Sequence, residues 1–296
     1  MIPFLSARGR RRRAWFGLLT VLGLCERGFF IPYRYAGGLP KAGERPTYGA
    51  VESLFDEHRE RFREALGWLD ELAEDLLAIG SEPPPAPRWE QDWFPRLDGA
   101  MAYAVVRKLK PRRIVEVGAG HSTRFLARAV ADGGLDSQIT TIDPAPRADL
   151  AGLPIELLRT TIHAAGSAPF DALAPGDLLT IDSSHILMPG SDLDLLLGHI
   201  LPTLPDGVLL HVHDIFLPDD YPQAWAWRGY NEQLGILPLL FGDWSPLFAS
   251  HYVATRMAED VGAGVAGRLP LGPDAHESGL WLRKGGKRPT QAHDSL

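Results

Sequence analysis

Cysteine is almost absent from this sequence of 296 residues. The single cysteine, Cys25, excludes an intramolecular disulfide and any zinc centre built on several thiolates, and it is compatible with the cytoplasm. Long hydrophobic runs are missing too, because the apolar stretch 14–24 is too short to cross a bilayer as a helix. We therefore predict a cytoplasmic protein without a membrane span.

An excess of positive charge is also missing, with 30 Lys and Arg against 37 Asp and Glu. The first 50 residues hold nine basic and two acidic side chains, whereas the remainder holds 21 and 35. An acidic body lacks the broad basic face that neutralises phosphates, which argues against a nucleic acid partner.

The basic N-terminus allows three interpretations. The run Arg10 to Arg13 precedes the apolar stretch, a pattern typical of a secretory signal, of a membrane-surface anchor or of a docking helix. Glu26 and Arg27 interrupt the region in which a cleavage site would follow. We therefore predict a docking helix, which also offers a contact for a homo-oligomer.

Apolar periodicity divides the chain into an N-terminal part and a body. Apolar side chains recur at three- and four-residue steps over residues 51–79, which predicts one long amphipathic cover helix. The proline-rich segment 81–87 predicts a stiff linker. The predicted division is an N-terminal segment with linker, a catalytic domain and a flexible polar tail, at residues 1–87, 88–284 and 285–296.

Strand and helix signals alternate through the predicted catalytic domain. Strands are predicted near 113–117, 139–143, 155–158, 178–182, 207–213, 247–254 and 279–283. Helices are predicted near 98–109, 122–132, 191–201 and 223–238. Such alternation predicts an α/β fold, a Rossmann-like doubly wound sheet of seven strands with an N-terminal helical cap.

A glycine turn after the first predicted strand is the strongest local signal. Residues 112–123 read RRIVEVGAGHST, an apolar strand that ends in Gly-x-Gly before a helix. Gly118 and Gly120 lack a Cβ, so the backbone can approach a ligand closely. Thr123 stands where a dinucleotide fingerprint has its third glycine, and Asp143, about 20 residues later, stands where a ribose diol is bound. These features predict a nucleotide-type pocket for a ligand other than a diphosphate.

Polar side chains also follow the fourth and fifth predicted strands. Asp182, Ser183 and His185 end the fourth strand, and His213 and Asp214 end the fifth. Because ligands bind at the carboxyl ends of strands in such sheets, we expect these residues to line the same pocket.

Together these motifs resemble those of the class I S-adenosylmethionine-dependent methyltransferases. The resemblance covers about residues 28–284 and includes the HDIFLP run at 213–218. This set of motifs is similar to that of a bacterial group of small-molecule methyltransferases. It implies S-adenosylmethionine as cofactor, a reversed last strand and a small-molecule acceptor methylated at oxygen. The residues implied to bind the cofactor are Glu116, Gly118, Ala119, Gly120, His121, Ser122, Asp143, His163, Asp182 and Ser183.

Two catalytic arrangements remain open. Asp182, His213 and Asp214 occupy places similar to the metal ligands of catechol-type methyltransferases, although a histidine departs from the oxygen ligands that Mg²⁺ prefers. A divalent metal there would lower the pKa of an acceptor hydroxyl. Without a metal, His185 or His213 would act as general base beside Asp214, because histidine titrates near neutrality.

Two other functions also remain open on the sequence alone. The same sheet could serve a nicotinamide-dependent oxidoreductase or a non-catalytic partner protein that keeps the fold.

Residues 216–233 combine helix-breaking prolines with Trp225, Trp227 and Tyr230, a pattern that predicts a lid with aromatic walls over the acceptor.

Overall fold

A computed structural model of the chain describes residues 3–285. Seven strands form its central sheet. They are β1 (Arg113–Val117), β2 (Gln138–Ile142), β3 (Glu156–Leu158), β4 (Leu178–Ile181), β5 (Leu209–Val212), β6 (Trp244–Ala249) and β7 (Leu280–Lys284). Their mostly apolar composition, with β-branched residues in β1, β2, β4 and β5, suits strands that helices cover on both faces.

The strand order is β3-β2-β1-β4-β5-β7-β6. β1 to β5 pair in parallel, and β7 runs antiparallel to its neighbours β5 and β6. The order reverses between β1 and β4, which is where ligands bind in such sheets. The predicted α/β fold with a seven-stranded doubly wound sheet and a reversed last strand is therefore confirmed.

Helices cover both faces of the sheet. They are α1 (Pro3–Val21), α2 (Gly49–Glu57), α3 (Arg59–Glu71), α4 (Ala73–Ala78), α5 (Arg96–Leu109), α6 (His121–Asp132), α7 (Ile162–Ala165), α8 (Ala168–Asp171), α9 (Asp192–Leu195), α10 (Glu232–Leu240), α11 (Ser250–Arg256) and α12 (Ala258–Ala263). A wider π-helical turn (Leu196–Ile200) and a 3₁₀ turn (Leu201–Thr203) extend α9. The predicted helix at 191–201 is thus present in modified form.

The prediction of one cover helix over residues 51–79 is wrong in detail. The chain leaves helical geometry at His58 and at Leu72, which separates α2, α3 and α4. Neither break contains glycine or proline, so the sequence carries no local signal for them. In the proline-rich segment after α4, Ala86 donates to the Pro83 carbonyl at 3.1 Å and closes a turn. That this segment acts as a stiff linker stays a prediction.

Two further element predictions are wrong. Residues 250–254 belong to α11 rather than to a strand, because β6 ends when Ala249 has paired with Leu280. The predicted helix at 223–238 is a 3₁₀ turn (Gln223–Trp225), a loop and α10. Gly229 in that loop has φ near +71°, a conformation that interrupts a helix.

The N-terminal part has two different relations to the body. α2 to α4 share the hydrophobic core of the sheet, where Phe55 packs on Tyr252 at 5.4 Å and Phe62 on Phe248 at 6.0 Å between ring centroids. Residues 15–39 instead lie on the surface with many exposed apolar side chains. The division into segments at residue 87 stays a prediction, and the tail from residue 286 lies outside the described residues.

No helix within residues 3–285 combines the length and apolar character that a membrane crossing requires.

Lys284 at the end of β7 stabilises the connection between α9 and β5. Its side chain is 6% exposed, and its ammonium group donates to the carbonyls of Leu201, Pro202 and Leu204 at 3.0, 3.0 and 2.7 Å. These carbonyls follow the last helical turn, where backbone acceptors lack helical partners. One buried cation therefore satisfies three of them.

Replacing Lys284 with Met should lower the free energy of unfolding by about 2–4 kcal/mol, because buried acceptors lose a charged donor. Urea denaturation monitored by circular dichroism measures the change. The control is Arg283→Met, one residue earlier on the exposed side of the strand, which should stay within about 0.5 kcal/mol of the parent. Equal stability of the two variants would contradict the role assigned to Lys284.

Candidate active site

A cavity of about 830 Å³ opens at the carboxyl ends of β1, β2, β4 and β5. Its volume lies within the range of small-molecule and cofactor sites. Most of the residues predicted from the sequence line it, namely Gly118, Ala119, Gly120, His121, Ser122, Asp143, His163, Asp182, Ser183, His185, His213 and Asp214. The sheet topology therefore brings together residues that are up to 96 positions apart in the chain.

The glycine turn begins where β1 meets β4. Gly118 has φ near +90°, and a Cβ at this position would overlap the carbonyl oxygen of Asp182. Its amide donates to Ile142 O, and Asp182 N donates to Val117 O, both at 2.9 Å. Only glycine fits this conformation and this close approach. The turn thus packs the ends of β1, β2 and β4 against one another.

Glu116 does not face the cavity, contrary to the prediction that it contacts the cofactor. Its carboxylate is fully buried beneath the turn and accepts hydrogen bonds from the hydroxyls of Ser122 and Thr123 at 2.6 Å and of Thr141 at 2.9 Å. Burial raises the pKa of Glu116 to about 7, although these hydrogen bonds oppose the rise. Glu116 therefore positions the turn and the start of α6.

Asp143 joins the turn to the end of β2. Its Oδ2 accepts from Ala119 N at 2.8 Å, and its Oδ1 accepts from Ala145 N at 2.7 Å. Each carboxylate oxygen keeps a further lone pair for a ligand hydroxyl in the cavity. The carboxylate is thus held at the place where the resemblance puts a ribose.

Besides Arg228 Nε, two buried polar atoms of the cavity wall have no hydrogen-bond partner within the described part of the chain. They are His121 Nδ1 and Ser183 Oγ. His121 stacks on Trp93 at 5.6 Å between ring centroids, and burial lowers its pKa to about 4, so the ring is neutral at pH 7. Buried polar atoms are normally satisfied, so these two point to a ligand. His163 is exposed and lines the cavity from the start of α7.

The other half of the cavity holds two histidines between carboxylates. His185 Nε2 lies 3.4 Å from Asp182 Oδ1 and 3.5 Å from Asp214 Oδ2. His213 Nδ1 lies 3.7 Å from Asp182 Oδ1 and 3.5 Å from Asp214 Oδ1. Both imidazoles therefore point one nitrogen toward the same two carboxylates.

A buried carboxylate stands behind each imidazole. Neither was predicted to bind the cofactor or to act in catalysis, although Glu232 was expected as a polar contact of the lid and Asp98 lies in the motif 93–98 that shares the resemblance. Glu232 Oε2 lies 2.8 Å from His185 Nδ1, and Asp98 Oδ2 lies 3.3 Å from His213 Nε2. Both acids are 0% exposed. The available signal for Asp98 is an acid inside the apolar run LDGAMAYAVV; Glu232 carries no comparable signal.

The backbone of the cluster is strained. His185 and Asp214 have φ near +61° and +58°, which is uncommon for residues other than glycine. Asn231 holds the loop after His185, because its amide oxygen accepts from Leu187 N at 2.7 Å and its own backbone N donates to His185 O at 3.2 Å. Strain that persists under such constraints is typical of functional sites.

Charge pairing dominates the pKa values of this cluster. Burial by itself would lower the pKa of both histidines, but Asp182 and Glu232 raise that of His185, and Asp182 and Asp214 raise that of His213, well above 6.5. Burial would likewise raise the pKa of Asp182, but the two imidazoles keep it low. The charge pairing therefore favours the protonated form of both imidazoles.

His211 differs from its neighbour. It is 1% exposed, its ring lies 4.4 Å from that of Trp281, and burial lowers its pKa to about 3. It is a neutral core histidine, and its Nε2 has no hydrogen-bond partner among residues 3–285.

The predicted metal site at Asp182, His213 and Asp214 is not found. No group of three His, Cys, Asp or Glu side chains in residues 3–285 is arranged to hold a metal ion. The oxygens of Asp182 and Asp214 are directed at the imidazole nitrogens, with His185 between them as a second partner. We therefore derive no step through a metal.

The predicted aromatic lid borders the half of the cavity that holds His185 and His213. Trp225, Trp227, Arg228 and Tyr230 line it together with His276, which the sequence did not single out. The His185 ring lies 4.5 Å from that of Tyr230. The lid therefore contacts one of the two histidines directly.

Residues 115–215 match the family model of a methyltransferase domain. This range contains the glycine turn, Asp143, Asp182, His185, His213 and Asp214. No curated protein matches the chain.

Several solved methyltransferases share weak structural similarity with the chain. An O-methyltransferase of tomaymycin synthesis from Streptomyces achromogenes, in complex with S-adenosylmethionine, is 17% identical with a TM-score of 0.39, over 75% of this chain and 90% of that one. An O-methyltransferase from Bacillus cereus, in complex with S-adenosylhomocysteine, is 14% identical with a TM-score of 0.39, over 75% and 91%. A methyltransferase from Podospora anserina is 15% identical with a TM-score of 0.39, over 88% and 100%. These values are too low to assign an acceptor.

The family match covers the strands and turns that build the cavity, and it confirms the enzyme class predicted from the sequence. Residues 115–215 match a methyltransferase domain, and the methyltransferase activity predicted from the sequence is confirmed to that extent.

Proposed function

We propose that the protein methylates a hydroxyl group of a small molecule. The observation that carries this proposal is the pair of histidines, each backed by a buried carboxylate, in the acceptor half of the cavity. A hydroxyl is a poor nucleophile until it loses its proton, and a base oriented by a carboxylate is suited to remove it.

The cofactor half is proposed to bind S-adenosylmethionine as the resemblance implies. Asp143 would accept from the ribose hydroxyls, the amides after Gly118 would face the methionine end, and His163 would lie near the adenine. The unpartnered His121 Nδ1 and Ser183 Oγ support a polar ligand here. When bound, the cofactor supplies an electrophilic methyl group on a sulfonium.

His185 is the proposed base. Its Nε2 faces Asp182 and Asp214, while Glu232 holds its Nδ1 and the acceptor-side Tyr230 lies against its ring. The acceptor oxygen would give its proton to Nε2 and form a bond to the methyl carbon as the carbon–sulfur bond breaks. S-adenosylhomocysteine and the methyl ether are the products. His213 would keep Asp182 and Asp214 in place.

The protonated state of His185 is compatible with this role. A sulfonium adds positive charge to the cavity and lowers the pKa of nearby imidazoles. Cofactor binding would therefore release the proton that the carboxylates hold on His185 in the ligand-free protein.

The finer assignments made from the sequence stay proposals. They are the bacterial HDIFLP group, the cytoplasmic location and a homo-oligomer formed through the N-terminal region. The turn does not favour a nicotinamide cofactor, because Thr123 stands where the dinucleotide fingerprint has its third glycine. The Oγ1 of Thr123 lies within hydrogen-bond distance of Gly120 N and of the Glu116 carboxylate.

Asp143→Asn should weaken S-adenosylhomocysteine binding by about 1–3 kcal/mol, because a charge-assisted hydrogen bond to the ribose is lost. Isothermal titration calorimetry measures the change. Asp136→Asn is the control, since that exposed acid precedes β2 at the opposite end of the sheet. Unchanged affinity in a folded Asp143→Asn protein would refute the ribose assignment, and NAD⁺ binding in place of S-adenosylhomocysteine would refute the cofactor.

The kcat/KM for S-adenosylmethionine, which reports the ionisation of the free enzyme, should rise with pH with a midpoint above 6.5, because carboxylates raise the pKa of His185 and only the neutral ring accepts a proton. His185→Gln should lower kcat by about 10²–10⁴-fold and abolish this pH dependence, with cofactor binding retained. His199→Gln, an exposed histidine outside the cavity, is the control.

The assay for this prediction is S-adenosylhomocysteine release with 4-hydroxycinnamate and related hydroxylated aromatic acids. Each is paired with its methyl ether and its amino analogue. Transfer to the amino analogues alone, or a pH profile that His185→Gln leaves intact, would contradict the proposal.

Removing divalent metal ions should leave this turnover unchanged, because Asp182 and Asp214 already pair with two imidazoles. The comparison is between untreated protein, protein dialysed against EDTA, and the dialysed protein with Mg²⁺, Mn²⁺ or Zn²⁺ restored. Activity that disappears with EDTA and returns with one ion would favour the metal arrangement predicted from the sequence.

A further inference from the structure

We propose that the acceptor is an amphiphilic anion whose acidic group is bound in an arginine-lined chamber beside the cofactor cavity. This inference rests on the proposed function and names the substrate class for the same site.

The arginine chamber is a second cavity, of about 1870 Å³, between α1 and the lid. Its basic lining comprises Arg10, Arg11, Arg12, Arg13, Arg27 and Arg228. Asp192 is the one carboxylate among the lining residues that the structure describes, and it already accepts from Ser184 N at 2.9 Å. A chamber with this excess of positive charge favours an anionic occupant.

The chamber adjoins the active-site cavity. Ser184, Asp192, Trp227 and Arg228 line both. α1 forms the outer wall, and Arg13 fixes it to the lid by donating to the carbonyls of Ala226 and Trp227 at 3.0 and 3.3 Å. A molecule bound in the chamber can therefore extend its reactive end toward His185.

Arg228 lies where the two cavities meet. Its guanidinium stacks 4.0 Å from the centroid of the Trp225 ring, and its Nη1 donates to the Tyr230 hydroxyl at 3.2 Å. Its Nε is buried without a hydrogen-bond partner, and no carboxylate pairs with it among residues 3–285. A rigid, stacked guanidinium with an unused donor is suited to bind a carboxylate or a phosphate.

The remaining walls of the chamber are apolar. Phe16, Val21, Phe29, Phe30, Ile31, Ile186 and Met188 line it. Together the walls fit a molecule that combines an acidic group with an aliphatic or aromatic body. A free carboxylate and an alkyl phosphate share this chemistry.

The experiment is calorimetry on the full chain saturated with S-adenosylhomocysteine. The probes are octanoate, octyl phosphate and the neutral octanamide. At least one anion should bind tenfold or more tightly than octanamide, and added salt should reduce the difference because the attraction is ionic. Equal affinity for the anions and the amide would overturn the proposal.

Two sets of variants test the location. Arg228→Gln and the double change Arg11→Glu, Arg12→Glu should each abolish the preference for the anion while leaving S-adenosylhomocysteine affinity within twofold of the parent. Arg112→Glu, an exposed arginine before β1 at the opposite end of the sheet, should leave the preference intact. If all three proteins keep the preference, the anion binds elsewhere and the proposal is wrong.

Vesicles separate a soluble ligand from a membrane surface. Sedimentation with vesicles of phosphatidylcholine and phosphatidylglycerol, without binding of either octyl anion, would show a lipid surface as the partner and overturn the proposal. Failure of S-adenosylhomocysteine itself to bind would instead refute the proposed function, so the two failures are distinguishable.

Discussion

The acceptor half of the cavity depends on one buried carboxylate, that of Asp98. It accepts from the backbone amides of Ser278 and Gly279 at 2.9 and 2.8 Å and faces the imidazole of His213. It thereby ties the first turn of α5 to the start of β7 and to the end of β5. Burial would raise its pKa, but the hydrogen bond and charge of His213 hold the pKa below its usual value. The position of His213, and through it of Asp182 and Asp214, follows from this contact.

The two halves of the cavity are built by different physical means. Backbone conformation builds the cofactor half, because Gly118 allows a close approach of two strands and Glu116 holds the turn from below. Paired side-chain charges build the acceptor half, where the imidazoles lower the pKa of Asp182 and the carboxylates raise the pKa of His185. Both halves therefore depend on pH, the first through Glu116, whose pKa is raised to about 7, and the second through the paired histidines.

The sequence identified the polar residues at the carboxyl ends of the strands, but it did not identify the buried acids that pack behind them as partners of the histidines. Apolar strands followed at once by Asp182 or by His213 and Asp214 place those side chains at one edge of a parallel sheet, so their assembly was predictable. Asp98 and Glu232 reach the same site through tertiary packing from elements whose registers no local pattern fixes. Glu116 was placed on the correct strand but assigned the wrong side of the turn, because alternation along a strand does not tell which face meets the ligand.

The surface segment 15–39 has a consequence for how this protein can diversify. It adds no residue to the hydrophobic core of the described chain. Several of its residues, among them 27–31, nevertheless form one wall of the arginine chamber together with the preceding residues 9–14 of α1. Substitutions in this wall can therefore change which molecules fit without lowering the stability of the sheet. Most proteins trade stability for new specificity when active-site residues change. If the chamber binds the acceptor as proposed, the two properties reside in different parts of the chain, so acceptor preference can evolve while the fold stays intact.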